Sequence, residues 1–299
     1  MNDDDESDNC SWTIATMETN DMQFDAWDVF KDDYVNETMD LPFEIFGTSA
    51  TDVSSMPHVL SPPLIDSLRH FVPDRLFHNN LWMKYSLIRD GASLSILLRN
   101  IRESQHTLLA IETVEGDVFG CFTSTPWKQT FGYFGTGEAF VWKMKQSRGT
   151  KCYSLLDQVQ MESEVEVYAF SNENDMVQVC KQDFIAIGGG PISDASNLPD
   201  VNLNNVASNV EAGFALALDE ELLNGTTSPC GTFLSPCLSD SSSPTGEVFE
   251  VVNMEAWTFT PCSTEEQAER NELGKMFRDG NTDMDVIGTY IGGNGFGKF

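Results

Sequence analysis

Between Phe131 and Phe140 the chain reads FGYFGTGEAF, three glycines and a glutamate among aromatic residues. Glycine-rich turns can wrap a phosphate, so the first question is nucleotide chemistry. A Walker loop needs a Lys for the phosphates and a Ser or Thr for magnesium in GxxxxGK[ST], and this stretch supplies neither. A dinucleotide loop opens a helix, whereas AFVWKM after these glycines reads as a strand. Glu138 would also repel an anion held there. The second cluster, IAIGGGPISD (185–194), has no Lys to hold an anion and carries Asp194 nearby. Gly188, Gly189 and Gly190 therefore read as a bulge or tight strand exit. Glu138 has no His or Asp close in sequence to act with it as an acid/base pair. Its expected role is to accept backbone N–H bonds across the turn that Gly135 and Gly137 make.

The remaining reactive residues are dispersed. Seven cysteines (Cys10, Cys121, Cys152, Cys180, Cys230, Cys237 and Cys262) form no CxxC pair, and the four histidines show no ligand spacing. An odd count without a secretory signal argues for free thiols over a disulfide framework, and neither metal nor cofactor is expected. Cys230 and Cys237, in a Ser/Pro-rich stretch, are expected to be exposed; Cys121, in an apolar strand, to be buried and inert.

The elements that must position these residues follow from the apolar pattern. SPPLIDSLRHF places Ser61 at an N-cap, prolines in the first turn and Leu64, Ile65, Leu68 and Phe71 at helical spacing, with Pro73 as the stop. WMKYSLI precedes an Asp-Gly turn, and SLSILLRNIRE carries a second helical stripe. TLLAIETV and VFGCFTS flank a Gly-containing turn as a hairpin. Further strands are predicted at AFVWKM, EVEVYAF, DFIAIGG, GFALALD and EVFEVVNMEAWTF, and a charged helix at STEEQAERNELGKMF. The fold class is α+β and β-rich, a pair of antiparallel sheets with flanking helices. Residues 1–58 hold fifteen acidic residues against the single cation Lys31 and read as a mostly disordered acidic tail. In that tail Phe24, Trp27 and Phe30 are spaced as on one helical face. The domain spans 59–261, with surface-loop insertions near 191–210 and 226–246. A helical and then glycine-rich extension fills 262–299.

A net charge of −30 repels nucleic acid and anionic membranes and favours a basic protein surface. No apolar run is long enough to span a bilayer, so no membrane insertion is expected and the default location is cytoplasmic. No heptad demands a dimer, and a monomer is expected.

Taken in order, LSPPLIDSLRHFVPDRL, WMKYSLIRDGASLSILLRNI, LLAIETVEGDVFGCFTSTPWK, YFGTGEAFVW, DFIAIGGG, GFALALDEELLNGTTSPCGTF and VVNMEAWTF resemble a TLDc domain over about residues 60–260. Asp90-Gly91 stands where that family usually has His-Gly, and Ala217 where it usually has Trp. The resemblance implies a two-sheet β-sandwich, no established catalytic site, protection against oxidative stress and binding to the proton-pumping vacuolar ATPase. Its motif residues here are Gly135, Gly137, Glu138, Gly188, Gly189, Gly190 and Asp219. The acidic Glu220 and Glu221, the Gly135–Glu138 loop and the C-terminal tail are the expected contacts with the pump's peripheral sector, at vacuolar or endolysosomal membranes. The alternatives are a thiol-based antioxidant using Cys230 and Cys237, or a nuclear coregulator acting through the acidic tail.

Overall fold

Consecutive side chains of a strand point to opposite faces, so an apolar run such as VFGCF needs cover on both sides. The computed structural model, which describes residues 43–49, 57–192, 213–239 and 247–278, provides a different layer on each. Its strands are β1 (Ile45–Phe46), β2 (Asn80–Ser86), β3 (Thr107–Thr113), β4 (Val118–Thr123), β5 (Phe140–Met144), β6 (Val165–Ala169), β7 (Gln178–Cys180), β8 (Phe184–Ile187), β9 (Leu216–Asp219), β10 (Asn224–Thr227) and β11 (Glu247–Thr260). Its helices are α1 (Pro62–Arg69), α2 (Leu87–Asp90), α3 (Leu94–Asn100), α4 (Leu155–Ser163) and α5 (Glu265–Arg278).

The strands form one hydrogen-bonded path, β6-β5-β4-β3-β11-β10-β9-β8-β7, with β2 on the far side of β11 and β1 parallel to β2. The long β11 belongs to two half-sheets. Residues 247–250 pair with β10, whereas residues beyond Val251 run between β3 and β2. The register against β3 shifts between Val251 and Asn253. That extra residue inverts the facing of the strand: Phe249 and Val251 point into the inner core before it, Met254 and Ala256 after it. The two half-sheets thus fold over one another, and Phe119, Cys121 and Val141 of one meet Ile185, Ile187 and Leu218 of the other. On the outer face of the larger half-sheet, Leu108, Phe122, Trp142 and Trp257 pack beneath Leu64, Ile65 and Leu68 of α1 and Met161 of α4. The result is a two-sheet sandwich with α1 and α4 on the outer face of the larger half-sheet, while Leu94 and Leu97 of α3 join the inner core. Each fully buried Leu, Ile or Phe contributes roughly 1.5–3 kcal/mol to holding these layers together.

A buried charged cluster fastens the entry segment to this outer layer. The guanidinium of Arg148 donates to Glu162 (2.8 and 2.9 Å), to Glu112 (2.9 Å) and to the carbonyls of His58 (3.2 Å) and Val59 (2.6 Å). All five of its N–H donors are therefore used. Glu255, on β11, accepts the backbone N–H groups of His58, Val59 (2.9 Å) and Leu60 (3.1 Å), together with Trp257 Nε1–H (3.1 Å). Burial raises the pKa of Glu112 above the ordinary carboxylate value, with Arg148 pulling the other way.

Several sequence expectations need correction. Ser61 stands at the N-cap of α1, yet its hydroxyl donates to Glu162 (2.9 Å) instead of capping the helix. Phe71, expected on the apolar stripe, lies past the C-cap His70 and is half-exposed. Packing reaches into the segment read as the 1–58 tail: Phe43 and Phe46 are buried, because β2 offers an edge that β1 covers. Residues 226–239, read as a surface loop, instead enter β10 and then bury Cys230, Thr232, Phe233, Ser235 and Leu238. Cys230 and Cys237 are accordingly buried. Helix α4 was not anticipated, although Ser154 and Asp157 carry an N-terminal signal: the Ser154 hydroxyl accepts the Asp157 N–H at 3.1 Å. The Phe24/Trp27/Phe30 motif, most of the 191–210 insertion and the glycine-rich end lie outside the described residues.

Arg148→Met should lower unfolding stability by about 3–5 kcal/mol, because Glu162 stays buried without its partner. Denaturant titration of the variant against the unsubstituted chain measures this, and a loss under about 1 kcal/mol would contradict a structural role for the cluster.

Candidate interaction surface

The two glycine clusters meet in space. The segment 130–134 runs along the outer edge of β7, with Thr130 N–H bonded to the Cys180 carbonyl (3.2 Å) and Phe134 exchanging bonds with Gln178 (2.9 and 2.8 Å). Gly135 follows at φ +118°, and a Cβ there would lie 2.7 Å from Val177 Cγ1. Only glycine combines that backbone with so close an approach. Strand β8 ends at Ile187, and Gly188 after it, with a φ of +77°, turns the chain across Cys230; a Cβ would stand 2.5 Å from its sulfur. The Gly189 N–H bonds to the Cys230 sulfur (3.1 Å) and to Thr232 Oγ1 (3.0 Å). Thr232 in turn donates to Asn174 Oδ1 (2.8 Å), and Ser171 donates to the Gly231 carbonyl (2.9 Å). Three loops, 130–138, 171–177 and 188–192, are thereby fixed to one another and to the buried 228–235 segment.

Glu138 departs from its expected role. Its carboxylate takes a two-pronged contact from Arg75, Nη1 to Oε1 at 2.7 Å and Nη2 to Oε2 at 2.5 Å, in place of a bridging set of backbone donors among the described residues. Arg75 comes from the short 3₁₀ turn Asp74–Leu76 after Pro73, too distant in sequence to be paired with Glu138 by any local signal. His106 completes the group, its Nε2 3.4 Å from Arg75 Nη2 and its ring stacked on Phe122. The Arg75 hydrogen bond holds the Glu138 carboxyl below the ordinary carboxylate range. Burial, followed by the neighbouring Arg75 charge, lowers the pKa of His106. Beside them the hydroxyls of Ser124 and Thr136 bond to each other.

Asp219, Glu220 and Glu221 lie elsewhere. In the β8–β9 ladder Phe184 opposes Asp219 and Ile187 opposes Leu216, so the glycines leave from one end and the acidic turn sits at the other. Asp219 organises that turn by accepting Leu223 N–H and Asn224 Nδ2–H, both at 3.2 Å. Buried Leu222 adopts φ +57°, and the Glu220 carbonyl accepts Leu94 N–H (2.9 Å) at the start of α3. The Glu220 and Glu221 side chains face solvent.

The chemistry open to these groups is limited by their surroundings. Burial raises the Cys121 thiol pKa, and burial pushes that of Cys180 up to about 11. A cavity of about 10 Å³ beside Cys121, Trp127 and Leu216 is apolar, with room for a single water at most. Among the described residues no group of three or more His, Cys, Asp or Glu is placed to hold a metal ion, and no helix is long and apolar enough to cross a membrane. What the loops offer is a solvent-facing surface on a fixed frame.

In solution, the Glu138 carboxyl should titrate below the ordinary value of about 4.3. Its ion pair then stabilises the fold above that ordinary value and is lost as pH falls through the depressed one. Arg75→Ala should move the midpoint upward, which NMR titration of the side-chain carboxyl reads directly. An unmoved midpoint would show that the fork does not persist in solution.

Residues 53–260 match the family model described as TLDc domain. Among curated proteins, the chain is 28% identical over 234 residues to oxidation resistance protein 1 of Yarrowia lipolytica, covering 74% of this chain and 83% of that protein. It is 28% identical over 245 residues to the Podospora anserina protein of the same name, covering 72% of this chain and 64% of that one. The human oxidation resistance protein 1 matches at 28% over 221 residues, which span 74% of this chain and only 20% of the human one.

Proposed function

Because the chain belongs to the TLDc domain family across residues 53–260, we propose that it is a non-catalytic binding module. Its target is the peripheral sector of the proton-pumping vacuolar ATPase, whose assembly or activity it shifts as part of resistance to oxidative stress. The family match carries this reading, and the names of its relatives, each an oxidation resistance protein, support the link to oxidative stress. The architecture is compatible with it: the loops end in rigid, solvent-facing turns that suit a macromolecular contact. A binder shifts a multi-state machine only by preferring one of its states, so the effect on the pump equals the difference in affinity between assembled and dissociated forms.

Charge selects the kind of surface it meets. At −30 the chain is drawn toward basic patches, and that attraction acts chiefly on the association rate. The acidic turn at Glu220 and Glu221 and the loop from Gly135 to Glu138 are two exposed candidates for contact. They stand at different ends of the smaller half-sheet, so separate substitutions distinguish them. The alternative of a thiol-based antioxidant loses its premise of exposure, since Cys230 and Cys237 are buried.

Titrating purified vacuolar ATPase with the full chain, while following co-sedimentation and ATP hydrolysis, should show saturable binding with altered hydrolysis or release of the peripheral sector. Glu220→Lys combined with Glu221→Lys should weaken binding and leave thermal stability unchanged, because both side chains are in solvent. Unchanged affinity would remove the acidic turn from the contact; absence of binding at micromolar concentrations would remove the pump.

A further inference from the structure

Beside the paired glycine loops stands an apolar group that packing among the described residues leaves in solvent. Phe131 is fully exposed, Tyr133 is 41% exposed and Met176 37% exposed. Tyr133 and Met176 both lie against Gly189: a Cβ there would stand 2.9 Å from the tyrosine hydroxyl oxygen and 3.2 Å from the methionine sulfur. Phe131 precedes Tyr133 by two residues on the segment that lines β7. A large apolar side chain in water gains nothing for the fold, and an aromatic residue set beside a methionine is a composition typical of contact centres.

The backbone that bears Phe131 is held in place. Lys181 Nζ donates to the carbonyls of Thr130 (3.0 Å) and Phe131 (2.5 Å), and Thr130 Oγ1 donates to the Gly132 carbonyl (2.7 Å). The neighbouring loop is equally tied: Glu173 N–H bonds to Ser171 Oγ (3.1 Å) and Met176 N–H to Asn174 Oδ1 (2.9 Å). Ordering costs for binding are thus largely met in the free protein. That same loop turns the exposed side chains of Glu173 and Asp175 outward next to Met176. The exposed Lys128 is on the other loop, and Lys181 is occupied by carbonyls.

We infer that Phe131, Tyr133 and Met176 form the anchor of a protein-docking surface whose occupant is an apolar pocket rimmed by lysine or arginine on a folded partner. The aromatic and thioether groups supply burial, and Glu173 and Asp175 meet the basic rim. This rests on the proposed binding-module function and adds to it an anchoring contact, separate from the acidic turn at Glu220 and Glu221.

The test measures binding of the full-length chain to the isolated, immobilised peripheral sector of the vacuolar ATPase. Phe131→Ala should weaken affinity by about tenfold or more through a faster dissociation rate, with an unchanged melting temperature. Lys181→Met, which keeps the stem and removes the donors, should weaken it severalfold and speed amide exchange across 130–134. Glu173→Lys with Asp175→Lys should slow association and flatten its salt dependence. If the unsubstituted chain binds and Phe131→Ala binds equally well, the anchor is overturned while the binding-module reading stands. If the unsubstituted chain does not bind, both fall.

Discussion

β11 has to serve two half-sheets at once, and most of the architecture follows from how it does so. Its first residues pair with β10 and its last lie between β2 and β3. A strand of fixed alternation could not keep its apolar side chains inside the sandwich across that change of direction. The extra residue at Val252 inverts the facing, so that Val251 before it and Met254 after it both reach the inner core, while Val252 itself is left half-exposed. Because the smaller half-sheet is carried on the first part of β11, its position fixes where β8 ends and hence where the glycine loops emerge.

The other face of the larger half-sheet is closed by a different kind of interaction. Helices α1 and α4 bring apolar side chains, but residues 57–60 lead into α1 through backbone groups that would otherwise be buried unpaired. Glu255 takes three of their N–H groups and Arg148 takes two of their carbonyls. A buried ion cluster adds little net stability over a well-packed apolar one, yet here it satisfies backbone that has no sheet partner. The same logic recurs at α5, where Lys84 lies over the Trp82 ring and bonds to Glu272 (2.6 Å), attaching a highly charged helix beside the small Phe46–Trp82–Ala268 cluster.

The loops stand as fixed, solvent-facing turns on such a frame. The Arg75–Glu138 pair, the Thr232 hub and the Lys181 contacts each fix loop geometry from a residue distant in sequence. In the binding role proposed above, long-range attraction would come from the acid-rich chain as a whole, and short-range selectivity from a few apolar and charged side chains set in those loops.

Local pattern and composition determined the secondary elements that carry strong apolar periodicity. The β3–β4 hairpin, α1, α3 and the long β11 were legible because their residues alternate or repeat at spacings the backbone imposes. The stretch FGYFGTGEAF also shows by itself that it lacks the side chains a Walker loop uses. Composition misled at 226–239: Ser, Pro and Thr read as loop, but Thr227, Thr232 and Ser235 are buried with the neighbouring Cys230 and Phe233. Only the tertiary structure decided that Glu138 faces Arg75, that the two glycine clusters share one frame, and that Asp219 stands at the opposite end. These are contacts between residues dozens of positions apart, set by strand register and the inversion in β11, and no local spacing encodes which distant partner a side chain will meet.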